Sequence, residues 1–536
     1  MRRATTNPWL ALSALCFGFF MILLDTTIVN VAIPAMLTGL DASLNEINWV
    51  NSVYLLTYAV PLLLAARLGD RFGPRRLFVA GLVIFTGASL WCGLAPTAAD
   101  LIAARAVQGL GAAALTPQTL SYITHLFPRN RGAAMGVWGA VAGVATVAGP
   151  VLGGVLVETL GWEWIFFVNV PIGVVGVVVT LALVPDWRPG HSHRWDPLGI
   201  ALSSAGMFAL VFGIQNGQRY GWGTVAGPVT IIEILAAGVL LLAAFVVWQR
   251  RGRGEPLLPL QVFRHRAFAA GSLTNISIGF ALTGMFYPLT IYMQSVLGLT
   301  PLQAGLLAAP MSILSGVVAP FAGHASDRMD GRYAVIFGLI VFAAGLLSIT
   351  WLARPHSDPL VLMPGLLAAG LGVGCVFSPL SNSSMSALPR PLVGTGSGIF
   401  NTARQVGGVL GSAGVGVLLQ ARLEVALPEA ARQRAADLPA DLRAEFVAQL
   451  GRAAGSANEF GAVTAGPALP PGLPADVVER VRQTATEVFQ LGFTEATRET
   501  LLLPSVVLLL GMLCAAGMRA PQPAATPARA VPATSE

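Results

Sequence analysis

Lysine is absent from this 536-residue chain, whose 32 basic residues are all arginine. Without lysine there is no Walker A side chain to cradle nucleotide phosphates and no amine for Schiff-base chemistry. An ATP-driven pump domain and lysine catalysis are both excluded. Charge of either sign is scarce, at 11% of residues, where soluble domains carry about a quarter. The four cysteines, Cys16, Cys92, Cys375 and Cys514, are scattered through apolar segments with no CxxC or disulfide spacing, which argues against a metal or redox centre. His191 and His193 form "HSH" in a polar loop and read as a solvated feature rather than a metal site. No nucleophile elbow, zinc spacing or phosphate loop is found, so the chain does not read as an enzyme and implies no cofactor.

Apolar length is what the chain has in abundance. Hydrophobic residues make up 54% of it and the mean hydropathy is +0.69. Apolar runs read against their breakers place fourteen spans at about 9–36, 48–68, 77–95, 99–126, 132–157, 164–184, 197–216, 226–248, 267–294, 302–323, 334–352, 359–387, 392–420 and 500–518. Backbone groups in lipid must be paired internally, so these runs are expected to be helices. The N-terminal "MRR" and its apolar run look like a signal peptide, but the run continues past Ile33, beyond the roughly 7–15 residues of such a core. It is expected to stay as a first span. An even number of spans puts both termini on one side. With that side cytoplasmic, the termini and short inner loops hold 20 arginines and the short outer loops hold two, Arg219 and Arg354. This positive-inside bias predicts a multi-pass protein of the cytoplasmic membrane with both termini cytoplasmic. The net charge of +6 then reports orientation and contact with anionic lipid, and a nucleic-acid partner is not expected.

Two pairs of inner loops are alike. "LGDRFGPRR" (68–76) parallels "ASDRMDGRY" (325–333), with the Asp-Arg pairs 257 residues apart. "FPRNRGAAMG" (127–136) parallels "LPRPLVGTGSG" (388–398), with the Pro-Arg pairs 261 apart. Two matches at nearly one offset predict an all-α polytopic membrane protein in which spans 1–6 and 9–14 are six-helix repeats and spans 7–8 are an inserted pair, a build usual among secondary transporters. The expected domains are an N-terminal six-helix bundle (1–184), the inserted helices with their flanking loops (185–266), a C-terminal six-helix bundle (267–518) and a disordered cytoplasmic tail (519–536). Residues 421–498 form one long polar segment between spans 13 and 14, read as a partly helical extracellular loop.

Several motifs occur in a fixed order. They are "LDTTIVNVAIP" (24–34), "ARLGDRFGPRR" (66–76), "RAVQGLGAA" (105–113), "GVWGAVAGVATVAGPVLGG" (136–154) and "GWEWIFFVNVPIG" (161–173). Together they resemble the 14-helix drug/proton antiporter branch of the major facilitator superfamily over essentially the whole length. Ala66, Ala145 and Glu163 depart from that pattern. The resemblance implies a major facilitator fold and multidrug-type efflux driven by the proton gradient. It also implies that Arg105 takes part in proton coupling and that the glycine-rich span 5 accompanies antiport.

The residues have their own physical reading. Asp25 interrupts an apolar helix at a cost of about 2.5–3.5 kcal/mol. Burial disfavours the ionised form of a carboxyl, so such a group can load and release a proton; a purely structural acid bonded to neighbouring hydroxyls is the alternative. Arg105 cannot give up its charge and needs a partner or a wet cavity, which makes an Asp25–Arg105 link the natural expectation. Thr26, Asn30, Tyr54, Tyr58, Gln108, Tyr287, Asn401 and Arg404 are the candidate lining of a substrate cavity, with Thr116, Gln405, Phe280, Met285, Phe286 and Tyr292 as further polar or aromatic surface. Gly136, Gly139, Gly143, Gly149, Pro150, Gly153 and Gly154 make span 5 thin and bendable. Asp70, Arg71, Gly73, Arg75 and Arg76 form a candidate cytoplasmic gating loop with Asp327 and Arg328 as its counterpart; topology alone would also account for the arginines. Glu233 lies some way into span 8 and reads as structural. A second intramembrane acid in span 10 is lacking, which points to singly charged or neutral amphipaths.

The expected function is proton-coupled secondary efflux of amphipathic small molecules by a monomer in the lipid bilayer. An uptake proton symporter and a non-transporting membrane sensor or scaffold are the rival readings.

Overall fold

The computed structural model describes residues 7–42, 44–128, 130–187, 196–217, 220–251, 260–389, 392–455 and 474–518. Local sequence sets where its helices begin. Asn7 accepts a hydrogen bond from Trp9 N at 3.0 Å, with Pro8 in the first turn of α1 (Pro8–Gly39). Pro suits that position because its missing N–H would go unpaired there anyway. The same device opens α9 (Pro197–Asn216) behind Asp196 and α12 (Pro301–Arg328) behind a Thr300/Gln303 capping box.

The expected span 48–68 is broken at Val60–Pro61 into α2 (Leu44–Ala59) and α3 (Leu62–Phe72), with a bend of 50° between their spanning parts. Pro61 supplies no N–H to the ladder, which accounts for the break. Gly73, at φ +98°, turns the chain into α4 (Pro74–Gly93). There follow α5 (Ala98–Leu126), α6 (Arg131–Thr159), the single turn α7 (Trp164–Phe167) and α8 (Asn169–Leu183). After α9, a two-strand hairpin, β1 (Thr224–Ala226) and β2 (Val229–Thr230), leads to α10 (Ile231–Arg251). Glu233 therefore lies in the first turn of α10, where it accepts from Thr230 N at 2.8 Å. It caps the helix instead of sitting inside the span. The second half comprises α11 (Arg266–Ile291), α12, α13 (Gly331–Leu352), α14 (Met363–Ser386), α15 (Val393–Arg434), α16 (Ala440–Gly455), α17 (Ala475–Thr500) and α18 (Leu502–Ala516).

Twelve helices among the described residues are long and apolar enough to cross a membrane, or thirteen with the bent pair as one span. With α6 in the place of the fifth expected span, every expected segment has a helix, which is compatible with fourteen.

The repeat is visible in the packing. Within the first half, α1 packs on α6 and α8, α4 on α5 and α8, and α2 on α5; within the second, α11 packs on α15 and α18, α13 on α14 and α18, and α12 on α14. The same five pairings recur in the same order. Small residues set the closest approaches in both halves. A Cβ on Gly111 would lie 2.7 Å from Phe85 N, and one on Gly372 would lie 2.5 Å from Phe342 N. These two crossings stand at the 257- and 261-residue offsets of the loops.

The halves meet along α6 and α12, and again where α15 crosses α3 and α5. Helix α9 lies over the second seam, its Met207, Val211 and Phe212 packing with Leu56 and Val60 of the first half and with Val406 and Val409 of the second. Asp196 ties α9 to the end of α10, accepting from Gly199 N at 2.8 Å, Trp248 Nε1 at 2.9 Å and Gln249 Nε2 at 2.6 Å. Burial opposes its charge, but these three donors outweigh that and hold its carboxyl below the usual carboxylate range.

The polar segment 421–498 is partly helical, as expected, but its helices continue the flanking spans: α15 runs on past 420 to Arg434, and α17 runs from Ala475 to Thr500, directly before α18. Leu423, Leu427, Ala430 and Ala431 are buried against Val481, Val488, Phe489 and Phe493, continuing the C-terminal core. Most of the proline-rich stretch 466–474, the "HSH" loop and the tail 519–536 lie outside the described residues.

Gly111→Val and Gly372→Val should each cost about 1–3 kcal/mol by overpacking. Gly87, whose added Cβ would meet nothing within 4 Å, serves as the control. Thermal unfolding in detergent should show both valine variants melting below wild type and Gly87→Ala melting no lower than wild type, since alanine is the better helix former.

Candidate functional site

Arg105 and Gln108 are three residues apart on α5, so they share one helix face. That face meets Asp25 of α1. Arg105 Nη1 donates to Asp25 Oδ2 and, at 2.8 Å, to Gln108 Oε1; Gln108 Nε2 donates to Asp25 Oδ1 at 2.9 Å. Asn169, the first residue of α8, adds Nδ2 at 3.3 Å from Asp25 Oδ1 and 3.1 Å from Ser89 Oγ on α4. Ser89 in turn donates to the Phe166 carbonyl at 2.9 Å. Arg105 Nε reaches the Val50 carbonyl at 3.3 Å, and its guanidinium lies over the Tyr54 ring at 4.0 Å. Asp25, Arg105, Gln108 and Asn169 all have 0% exposure.

The expected link between Asp25 and Arg105 is thus present, as a direct ion pair closed off from solvent. Two charges in so dry a place are tolerable only with good geometry and further hydrogen bonds. Gln108 and Asn169 supply those bonds to the carboxylate, and Tyr54 gives the guanidinium a π face. Gln108 and Tyr54 therefore belong to the charge cluster itself. Asn169 and Ser89 were not singled out from the sequence. Asn169 carried the same signal as Asp25, a lone polar side chain inside the apolar run "IFFVNVPIG".

The other cavity candidates are dispersed. Thr26 bonds to the Ile22 carbonyl at 2.7 Å, and Tyr58 shares a 3.0 Å hydrogen bond with Thr116 in the N-terminal core. Asn401 is buried and turned onto the Ser397 carbonyl of its own helix at 3.0 Å. Tyr287 is exposed, and Arg404 is partly exposed at 5.4 Å from the Phe377 ring. The side chain of Asn30 lies outside the described residues.

The glycines of α6 divide between two neighbours. Gly149 packs on Thr27, and a Cβ on Gly153 would meet Ile28 Cγ1 at 2.9 Å, so both press α6 against α1 beside Asp25. Gly136 packs on Pro320, and a Cβ added at Gly139 or Gly154 would meet Ala319 Cβ at 3.4 Å or Leu302 Cβ at 3.8 Å, so these three lie against α12. The side chain of Pro150 and that of Gly143's position lie outside the described residues.

At the arginine-rich end, Asp70 is buried while Arg71 and Arg76 are exposed. Arg75 Nη2 donates to the Leu181 carbonyl. Gln118 Nε2 of α5 donates to the Ala65 carbonyl of α3 at 2.9 Å, and Asn382 Nδ2 of α14 donates to Ser326 Oγ of α12 at 3.1 Å, so in each half an amide side chain holds this helix. Arg328 is exposed and the side chain of Asp327 is outside the described residues.

Removing one partner of a buried ion pair strands the other. Asp25→Asn and Arg105→Gln should each cost about 3–5 kcal/mol, with the double variant costing less than their sum. A double-mutant cycle of unfolding in detergent should give a coupling of roughly 0.5–3 kcal/mol, and strict additivity would contradict the pairing.

A family model described as Major Facilitator Superfamily matches residues 15–412. An uncharacterized MFS-type transporter of Mycobacterium tuberculosis (strain ATCC 25618 / H37Rv) is 46% identical over 79% of this chain and 72% of its own length. The tetracenomycin C resistance and export protein of Streptomyces glaucescens is 35% identical over 79% of this chain and 78% of its own. In three dimensions the human organic anion transporter MFSD10 superposes with a TM-score of 0.56 at 14% identity, covering 95% of this chain and 99% of that one; at that identity the likeness is one of fold alone. With the repeated helix pairings and the spanning helices already described, these matches make the chain a membrane transporter and not an enzyme: it belongs to the major facilitator superfamily.

Proposed function

We propose that this protein exports amphipathic small molecules across the cytoplasmic membrane in exchange for protons, by alternating access between its two six-helix halves. The observation that carries the reading is the sealed Asp25–Arg105 pair, held by side chains from four helices of one half. In this reading Asp25 is the proton carrier. Loading a proton removes the charge that Arg105 balances, so protonation is tied to a change in how α1 and α5 meet. From Asp25 the change has a short route onward: Thr27 and Ile28, the next turn of α1, bear on Gly149 and Gly153 of α6. The other face of α6 is the seam with α12. Small residues there let backbones slide as packed surfaces without opening voids. The export direction is supported by a relative named for tetracenomycin C resistance and export and by the glycine-rich α6.

Inverted membrane vesicles separate this from uptake. Energised vesicles carrying the wild-type chain should accumulate ethidium, puromycin or an anthraquinone acid, and dissipating the pH gradient should release them. Asp25→Asn should abolish gradient-driven accumulation while leaving substrate exchange at equal concentrations. Accumulation by Asp25→Asn equal to wild type over the whole pH range would remove the coupling role. Gradient-driven movement out of such vesicles would indicate symport.

A further inference from the structure

The membrane-spanning part of the C-terminal half contains a cation with no counter-charge among the described residues. Arg404 lies well inside the apolar part of α15, whereas the acids between residues 267 and 420 are Asp327, Asp330 and Asp358, all at helix ends. Asp25 is already committed to Arg105. Arginine does not shed its charge in proteins, so this guanidinium is a permanent positive centre at membrane depth. Among the described residues it makes no ion pair and no hydrogen bond; it rests on the Phe377 ring at 5.4 Å.

Phe377 has a second polar neighbour. Trp138 of α6 lies 5.4 Å from it and stacks on Phe19 of α1 at 4.3 Å. Trp138 is only 2% exposed, yet its Nε1 has no hydrogen-bond partner among the described residues. A buried indole N–H ordinarily finds an acceptor, and each unmade bond of this kind is costly. Thus one charged donor and one neutral donor, both without an acceptor, lie against a single phenyl ring. Phe19 and Trp138 come from the first half, Phe377 and Arg404 from the second.

We propose that Arg404, Trp138 and Phe377 form a recognition site for an aromatic acid, with the substrate's carboxylate as the missing counter-ion. This deepens the export reading above and rests on it. The planar guanidinium fork matches the two oxygens of a carboxylate, a remaining lone pair can accept from Trp138 Nε1, and the aromatic body has Phe377 to stack on. Because both halves contribute, the site is complete only in conformations that bring α6 and α14 together. Binding of the acid is therefore linked to the alternating-access equilibrium.

The test is equilibrium binding to the purified full-length chain in detergent, with no gradient, using anthraquinone-2-carboxylate and its methyl ester. The acid should bind at least about tenfold more tightly than the ester, as expected for a charge-assisted hydrogen bond. Arg404→Gln should erase that preference while leaving ester affinity unchanged, and Arg404→Lys should retain part of it. Trp138→Phe, which keeps the ring and drops the N–H, should weaken the acid alone by a few-fold. Equal affinity for acid and ester, persistence of the preference in Arg404→Gln, or no binding of the acid at all overturns the proposal. Arg404-dependent binding without proton-driven movement in proteoliposomes would sink the export reading and leave the site standing. Proton-driven export of ethidium unaffected by Arg404→Gln, with no acid preference, would do the reverse.

Discussion

Helices in lipid gain little by hiding apolar surface from one another, because the surrounding tails are equally apolar. What holds this fold together is close approach of backbones, and glycine is what permits it. The crossings of Gly81 with Gly111 and of Gly338 with Gly372 bring α4 to α5 and α13 to α14 at the same place in each half. Gly279, Gly407 and Gly411 do the same between α11 and α15, and the α6 glycines do so on two faces at once. A side chain at any of these positions would push apart surfaces that have no other strong reason to adhere. The arrangement also suits a machine with two conformations, since smooth helix faces can shift without breaking specific bonds.

Against that shared framework, the charge cluster breaks the symmetry. Arg105 lies six residues before Gly111, and the residue six before Gly372 is Leu366, fully buried. The same backbone position thus carries a guanidinium in one half and an aliphatic side chain in the other. Packing needs only the leucine. The arginine, with Asp25, Gln108 and Asn169 around it, is an added polar device whose desolvation cost packing does not explain. The second half has its own cation at the seam, Arg404, which has no acid partner among the described residues. One half therefore holds a paired charge away from solvent, and the other presents, among the described residues, a charge without an ion pair.

The elements added to the twofold plan follow from pattern. Helix α9 buries an apolar stripe across the α2–α15 seam, and α10, with exposed Ile232, Val239 and Leu240, packs mainly on α9. The helical cap built from the end of α15, α16 and α17 was legible as helix from its mixed-charge periodicity. Its docking was not. Leu423, Leu427, Phe489 and Phe493 look like sparse apolar residues in a polar stretch, and only their alignment across two helices 60 residues apart makes them a core.

From the sequence alone follow the membrane class, the helix positions, the repeat and the identity of Asp25 and Arg105 as the charged residues inside the N-terminal bundle. Each is a local or periodic property: apolar length, arginine distribution, loop likeness, or one charge inside an apolar run. Tertiary structure decided which of these residues meet. It placed Gln108, Tyr54 and Asn169 around the ion pair, sent Asn401 to its own backbone, and brought Arg404 and Trp138 to one ring with no acceptor for either among the described residues. Those outcomes depend on the rotation and crossing of helices far apart in the chain, which are set by packing against neighbours and have no periodic signature in the residues themselves.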